Sequence, residues 1–386
     1  MGKDKKILWA AYLGILIFGM AMLSLGSVNA YLIQDKNLDQ MTIASLAALL
    51  PIGILLGSMF FGPIVDRFGY KLVLEICTGM IAISFLIIAM TAQLIWLQLS
   101  FFLIGFGGGA INGGTSALVA DISETNKGAG LSLLGVFYGI GALGMPLLNG
   151  LLSKQLSNQQ ILMFFSIVAF LPVIYYMFIK FPEPKQKQGF TITKGLKLFK
   201  EPLILLFGFF LFFESGIEGI TNNWATNFLR DSSGISAEKS LYALSMMVLT
   251  LTITRLILGG LLKKISSNKI LFVSLGFVFT GSIVLHIFSS VVGAFIGLGL
   301  LGIGFAAGFP TILGYVGELY AAFSGTAFSV VLFIALMGNT IINYIVGLLA
   351  SASKIDAFPI ILGISAVIMA ILLSIITKSL KTKIKL

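Results

Sequence analysis

The chain reads as apolar runs interrupted by short polar breaks. The runs lie near residues 7–33, 41–65, 72–92, 96–120, 129–152, 161–179, 203–229, 241–262, 270–290, 292–317, 327–350 and 357–377. A helix of about 20 apolar residues crosses the hydrocarbon core of a bilayer. The runs lack the period-two alternation of strands, and backbone groups in lipid must pair within their own segment. The pattern therefore predicts an all-α membrane protein with twelve spans. One break is longer than the others, "KFPEPKQKQGFTITKGLKLFKEP" from Lys180 to Pro202. It separates an N-terminal six-helix bundle, residues 1–180, from a C-terminal six-helix bundle, residues 203–386, through a linker over 181–202.

The breaks also carry the positive charge. Nineteen of the 25 Lys and Arg fall on the side of the N-terminus. Lys36, Lys154, Arg230, Lys239 and Lys354 fall on the other side, and Arg255 lies inside a span. Basic residues concentrate on the cytoplasmic side of membrane proteins. The expectation is a multi-pass protein of the plasma (inner) membrane with both termini cytoplasmic. The linker lysines suit an anionic inner leaflet.

Composition narrows the chemistry. Hydrophobic residues make up 58% and charged residues 10%, with mean hydropathy +1.03. Soluble domains carry about 25% charged residues, so most of this chain must face lipid or other helices. The formal charge of +10 sits in the breaks and reads as a topology signal, not as a nucleic-acid patch. Cys77 and His286 are each the sole residue of their type, which excludes an internal disulfide, a zinc cluster and any multi-histidine site. His286 falls near the outer end of the ninth span, where an interfacial role suffices. No HExxH, GxSxG or phosphate-binding loop is present, so an enzyme is not expected, nor a cofactor or metal.

The two halves repeat at an offset of 197 residues. Gly79 meets Gly276, Gly105 and Gly107 meet Gly302 and Gly304, Gly141 meets Gly338, and Gly150-Leu151-Leu152 meets Gly347-Leu348-Leu349. Asp121 meets Glu318, while Gly62, Asp66 and Arg67 meet Gly259, Lys263 and Lys264. Each half holds an even number of spans, so the repeats run parallel, a plan common among transporters.

Between the second and third spans stands "GPIVDRFGYK", Gly62 to Lys71. It resembles the loop 2–3 motif of the major facilitator superfamily: Gly, three residues, Asp-Arg, one residue, Gly, one residue, then a base. The resemblance implies the major facilitator fold, two pseudo-symmetric six-helix bundles that work as a monomer. In that family the motif's charges engage an acid at the end of span four, here Asp121, and the start of span eleven. Gly62, Asp66, Arg67, Gly69, Lys71 and Asp121 are thus expected to form a conformational latch. Gly62 would permit close helix approach and Gly69 a tight turn. Glu75, four residues after Lys71, is explained by an i,i+4 contact.

Charged groups inside the bilayer are costly and mark function by default. Glu214 and Glu218 are four apart and share a face of span seven. At ~1.5 Å per residue they lie about 16 Å and about 22 Å into the span, and Arg255 lies about 11 Å into span eight. Glu214 and Arg255 could therefore pair. Glu218 is the better candidate for proton coupling, with Glu214 beside it; purely structural ion pairing is the alternative.

A sugar site needs amides and hydroxyls for the ring hydroxyls and an aromatic face for the C–H side. The candidates are Asn29, Asn112, Tyr138, Asn222, Asn223, Trp224, Asn339 and Asn343, with Arg255 as a further contact; some could instead join helices. "ESGIEGITNNWATNFL" and "TITRLILGGLLKKIS" are similar to spans seven and eight of the fucose permease branch, which includes hexose symporters. That likeness rests on Gly216, Trp224, Arg255 and the glycine after it. The branch's acids in spans one and four are replaced here, by Ala30 beside Asn29 and by Asn112. Any coupling therefore shifts to span seven. The resemblance implies a secondary transporter moving a small polar solute, a sugar driven by protons. Two alternatives stand beside it. One is proton antiport of drugs or metabolites. "GVFYGIGALGMPLLNG" resembles the antiporter motif of span five, but Met145 splits its Gly-Pro pair. The other is an uncoupled facilitator.

Overall fold

The computed structural model describes residues 3–36, 38–123, 127–185, 198, 200–352 and 354–384. Most of the expected linker, including Lys187, Lys194 and Lys197, lies outside them. The helices are α1 (Lys3–Gln34), α2 (Gln40–Phe68), α3 (Tyr70–Met90), α4 (Leu94–Ile122), α5 (Lys127–Leu152), α6 (Asn158–Met177), α7 (Pro202–Asp231), α8 (Ala237–Leu261), α9 (Ser267–Ile287), α10a (Val291–Phe305), α10b (Gly308–Leu319), α11 (Ser324–Ser351) and α12 (Phe358–Ile384). Among the described residues there is no strand, and twelve helical segments are long and apolar enough to cross a membrane. The chain is an all-α, multi-pass integral membrane protein.

Hydropathy places the spans within a few residues of their helices, except that α12 runs seven residues past its expected end to Ile384, and there is one further departure. The tenth span is not continuous; it breaks at Ala306–Ala307 into α10a and α10b. Pro310 contributes to the break. It has no N–H to give the carbonyl of Ala306, and its ring crowds that turn. Helix ends are set by local chemistry. Asp39 caps α2 by accepting from the Thr42 N–H at 2.7 Å. Ser157 and Gln160 form a reciprocal capping box at the start of α6. Replacing Ser157 by Ala should lower stability by about 1 kcal/mol, read as a fall in thermal midpoint in detergent.

The chain divides into two compact units. The first comprises Met1–Ser123, Leu134–Leu196 and Tyr320–Ser329. Within it α4 packs on α1, α2 and α3, and α3 packs on α6. The glycines of α4 make this possible. A Cβ on Gly105 would strike the carbonyl of Leu50, and one on Gly109 the backbone of Ile54, both on α2. One on Gly107 would lie 2.7 Å from the Cys77 carbonyl of α3. The run Gly105–Ser116 is thus a packing surface on which neighbouring backbones touch.

The second unit comprises Glu124–Leu133, Lys197–Leu319 and Val330–Leu386. Here α10a packs on α8 and α9, and α9 packs on α12. The 197-residue repeat reappears as contacts. Gly302 meets the Met247 carbonyl, and Gly304 meets the Ser274 carbonyl at 2.9 Å from a built Cβ. Those partners are Leu50 and Cys77 displaced by the same 197 positions. The start of α5 belongs to this unit. Lys127 Nζ donates to the Gly317 carbonyl in the last turn of α10b at 3.1 Å, where a cation offsets the exposed carbonyls.

Candidate functional site

Two polar clusters stand out, one in each unit. In the second unit the sequence of α7 places Glu214, Glu218, Asn222 and Asn223 along the helix, with Gly219 between them. A side chain at Gly219 would collide with the amides of Asn339 and Asn343 on α11, 2.5 Å and 2.8 Å from a built Cβ. That glycine brings the two helices close enough for a ladder. Asn223 Nδ2 donates to Asn343 Oδ1 at 2.9 Å. Asn343 Nδ2 donates to Asn339 O and Oδ1 at 2.9 and 3.0 Å. Asn339 Nδ2 donates to the Ser215 carbonyl at 3.0 Å. Asn222 is exposed and donates to the Glu218 carbonyl at 2.9 Å. Trp224 sits one residue on, its ring edge 3.3 Å from where a Gly347 side chain would begin.

Glu214 is 1% exposed. Its carboxyl lies against Gly308, the first residue of α10b, where a Cβ would strike it. The broken tenth span therefore presents the start of a helix, with its unpaired N–H groups and positive dipole end, to this acid. Glu214 Oε1 and Arg255 Nε are both buried without a hydrogen-bond partner among the described residues. The geometry departs from a Glu214–Arg255 ion pair, since no N···O distance within 4 Å joins them. Glu214 turns to the break in span ten instead. The Arg255 carbonyl accepts from Ser132 Oγ at 2.6 Å. Glu218 is partly exposed.

The remaining sugar-site candidates belong to the first unit. Asn112 is partly buried on α4, and its carbonyl accepts from Thr115 Oγ1 at 3.3 Å. Tyr138 on α5 places its ring 5.4 Å from that of Phe18. Asn29 lies on α1, and its side chain is outside the described part.

The first unit's cluster surrounds the loop between α2 and α3. Asp66 is 1% exposed and accepts three hydrogen bonds from the start of α11: Gly325 N at 3.2 Å, Thr326 N at 2.8 Å and Thr326 Oγ1 at 2.6 Å. An acid at a helix N-terminus satisfies orphan N–H groups and meets the positive dipole end. Gly62 lies flat on Gly325, whose carbonyl a Cβ would strike. Gly69 has φ +88°, a conformation that favours glycine, and it separates α2 from α3. Lys71 donates to the Met177 carbonyl at 3.0 Å and pairs with Glu75 at 3.6 Å. Asp121 accepts from Tyr70 OH, from Ser324 Oγ at 3.1 Å and from Lys185 Nζ at 2.7 Å. Arg67 is exposed and stacks over the Phe68 ring at 5.0 Å. Sequence reasoning missed Tyr70, Lys185, Ser324, Thr326 and Gly308. Tyr70 at least stands inside the motif; Lys185 is one lysine among many in the linker.

Comparison with known proteins agrees with this architecture. Residues 11–322 match the Major Facilitator Superfamily. The chain is 23% identical over 382 residues to the glucose/mannose transporter GlcP of Bacillus subtilis (strain 168), covering 95% of this chain and 92% of that protein. It superposes on the E. coli fucose:proton symporter FucP with TM-score 0.79 at 15% identity, over 96% of this chain and 99% of that one. It superposes on the proton:xylose symporter XylE with TM-score 0.77 at 15% identity, over 97% and 95%. A break between helices at a family-typical motif, twelve spans, the repeated glycine contacts and this match lead to one conclusion: the chain belongs to the major facilitator superfamily of transporters.

Proposed function

We infer that the chain carries a sugar across the plasma (inner) membrane by alternating access, as a proton-coupled symporter. The observation that carries this reading is the polar face of α7. It sets an acid, exposed amides and a tryptophan in successive turns beside the asparagines of α11. Asn222, Asn223 and Asn343 suit ring hydroxyls, Trp224 suits the C–H face, and Glu218, with Glu214, exchanges the proton. Asn29, Asn112, Tyr138, Asn339 and Arg255 complete the proposed contacts. The whole-length likeness to a glucose/mannose transporter supports the substrate class. In this reading Asp66 and Asp121 hold the start of α11 as a latch that opens during the cycle; Gly62, Arg67, Gly69 and Lys71 shape its loop. The protein works as a monomer with cytoplasmic termini.

The test is counterflow in proteoliposomes with a panel of hexoses, pentoses and 6-deoxyhexoses. One or more should exchange, and Trp224→Ala should raise the half-saturation concentration by roughly tenfold, the loss of one aromatic contact. Exchange of no sugar, together with proton-driven extrusion of a lipophilic cation, would overturn the reading in favour of efflux.

A further inference from the structure

The cation of the Asp121 cluster does not come from the motif. It comes from the linker. Lys185 Nζ reaches Asp121 Oδ1 at 2.7 Å, Ser324 Oγ at 2.7 Å and the Ala321 carbonyl at 2.5 Å. An ammonium has three donors, and all three are engaged. The ion pair is partly shielded, with the two side chains 26% and 8% exposed. The residues leading to Lys185 are also held down. Phe181 is buried with its ring 6.1 Å from that of Tyr176, and Ile179 is buried beside it in sequence. Pro184 lies over Gly69, 3.3 Å from where a side chain would begin. Residues 179–185 therefore run across the α2–α3 loop as a strap anchored at both ends.

Two of the three acceptors belong to the segment that Asp66 grips. Ala321 lies in the 3-10 turn Ala321–Phe323, Ser324 begins α11, and Gly325 and Thr326 are the residues that donate to Asp66. A shift of this segment away from Asp66 takes the Ala321 and Ser324 acceptors from Lys185. What remains is one ion pair near the surface, and such pairs are weak. We propose that Lys185 is a positioning residue that straps the linker onto the latch, so that the linker is docked while the start of α11 is held and released when it leaves. This rests on the latch reading of Asp66 and Asp121. It gives the connection between the halves a state-dependent role that a flexible tether would not have.

Limited trypsinolysis of the full-length protein in proteoliposomes tests this, because cleavage after Lys185 requires its side chain to leave the cluster and enter the protease. The rate at the Lys185–Gln186 bond, read by mass spectrometry, is divided by the rate after Lys264 in the exposed α8–α9 loop. Asp121→Asn should raise this ratio roughly two- to fivefold, the scale of a partly exposed ion pair. Asp66→Asn, which breaks no hydrogen bond of Lys185 although it removes a negative charge near it, should raise it as well. In transport, Lys185→Arg should behave closer to wild type than Lys185→Gln. An unchanged ratio in both acid variants overturns the strap. So does a rise in Asp121→Asn alone, which would make docking local and uncoupled from α11. Equal acceleration at both bonds, the signature of misfolding, leaves the ratio unchanged and counts against it too. A raised ratio in Asp66→Asn with normal turnover would keep the strap and remove the latch.

Discussion

Replacing Glu218 by Gln should abolish pH-driven sugar accumulation while leaving sugar counterflow within about threefold of wild type. The two assays separate the proton from the solute. Counterflow requires the loaded carrier to reorient, whereas accumulation also requires a proton to bind on one side and leave on the other. Gln keeps the size of the side chain and a carbonyl oxygen for hydrogen bonding, and it loses only the ionisable proton. The Asn222–Glu218 contact uses the backbone carbonyl, so the substitution leaves it in place. Loss of accumulation by at least roughly tenfold with exchange retained is the signature of a step that only the coupled cycle needs. The companion variant, Glu214→Gln, distinguishes the two acids. Its carboxyl sits on the first residue of α10b without a hydrogen-bond partner for Oε1, and a charge buried there is costly unless it is fully paired. If Glu214→Gln loses accumulation and Glu218→Gln keeps it, the proton site moves one turn down α7. If both variants accumulate sugar like wild type, the chain is a facilitator and the carboxyls are structural.

Gly109→Leu should prevent assembly of the first unit. A Cβ at this position would fall on the carbonyl and Cα of Ile54, and neither can yield as a side-chain tip can. The helices must separate, and α2 and α4 touch in the same way at Gly53, Gly57 and Gly105. In lipid there is little hydrophobic force to restore the contact, because separated helices find equally apolar surroundings. Overpacking of this kind costs several kcal/mol, beyond the ~1–3 kcal/mol of an added methylene in a soluble core. The expected result is loss of the monodisperse peak in detergent. Gly139→Ala is the control, since nothing lies within 4 Å of its built Cβ. It should fold normally and gain up to about 1 kcal/mol from helix propensity. Normal folding of Gly109→Leu would show that the contact between α2 and α4 is looser than the backbone spacing implies.

Much of the architecture is legible in the order of residue types. Burial in hydrocarbon allows one backbone solution, so hydropathy and length suffice to place twelve spans. Part of the glycine repeat is legible too, because a backbone touching a backbone accepts no other residue, and Gly105 and Gly302 keep equivalent partners, whereas Gly79 and Gly276 have nothing within 4 Å of a built Cβ. The α2–α3 motif locates Asp66 and Gly69. Its Arg67 lies on Phe68, and the cation that meets Asp121 is Lys185 of the linker. Charge counting could not choose between them. Both are cations on the same side of the membrane, and the difference is a matter of reach and of which surface Pro184 and Phe181 press the linker against.

The break in span ten illustrates the same division. Pro310 is visible in the sequence, yet Pro51, Pro63 and Pro172 stand inside unbroken helices. A helix in lipid tolerates a proline when neighbours satisfy the freed carbonyl, so proline alone does not announce a break. That Glu214 would turn to the new helix start at Gly308 instead of to Arg255 is likewise absent from spacing and depth. Spans, sides and repeats follow from one-dimensional properties, because lipid rewards apolar length and each backbone pairs within itself. Which acid meets which donor depends on angles between packed helices, and those arise only when every side chain between them has found its place.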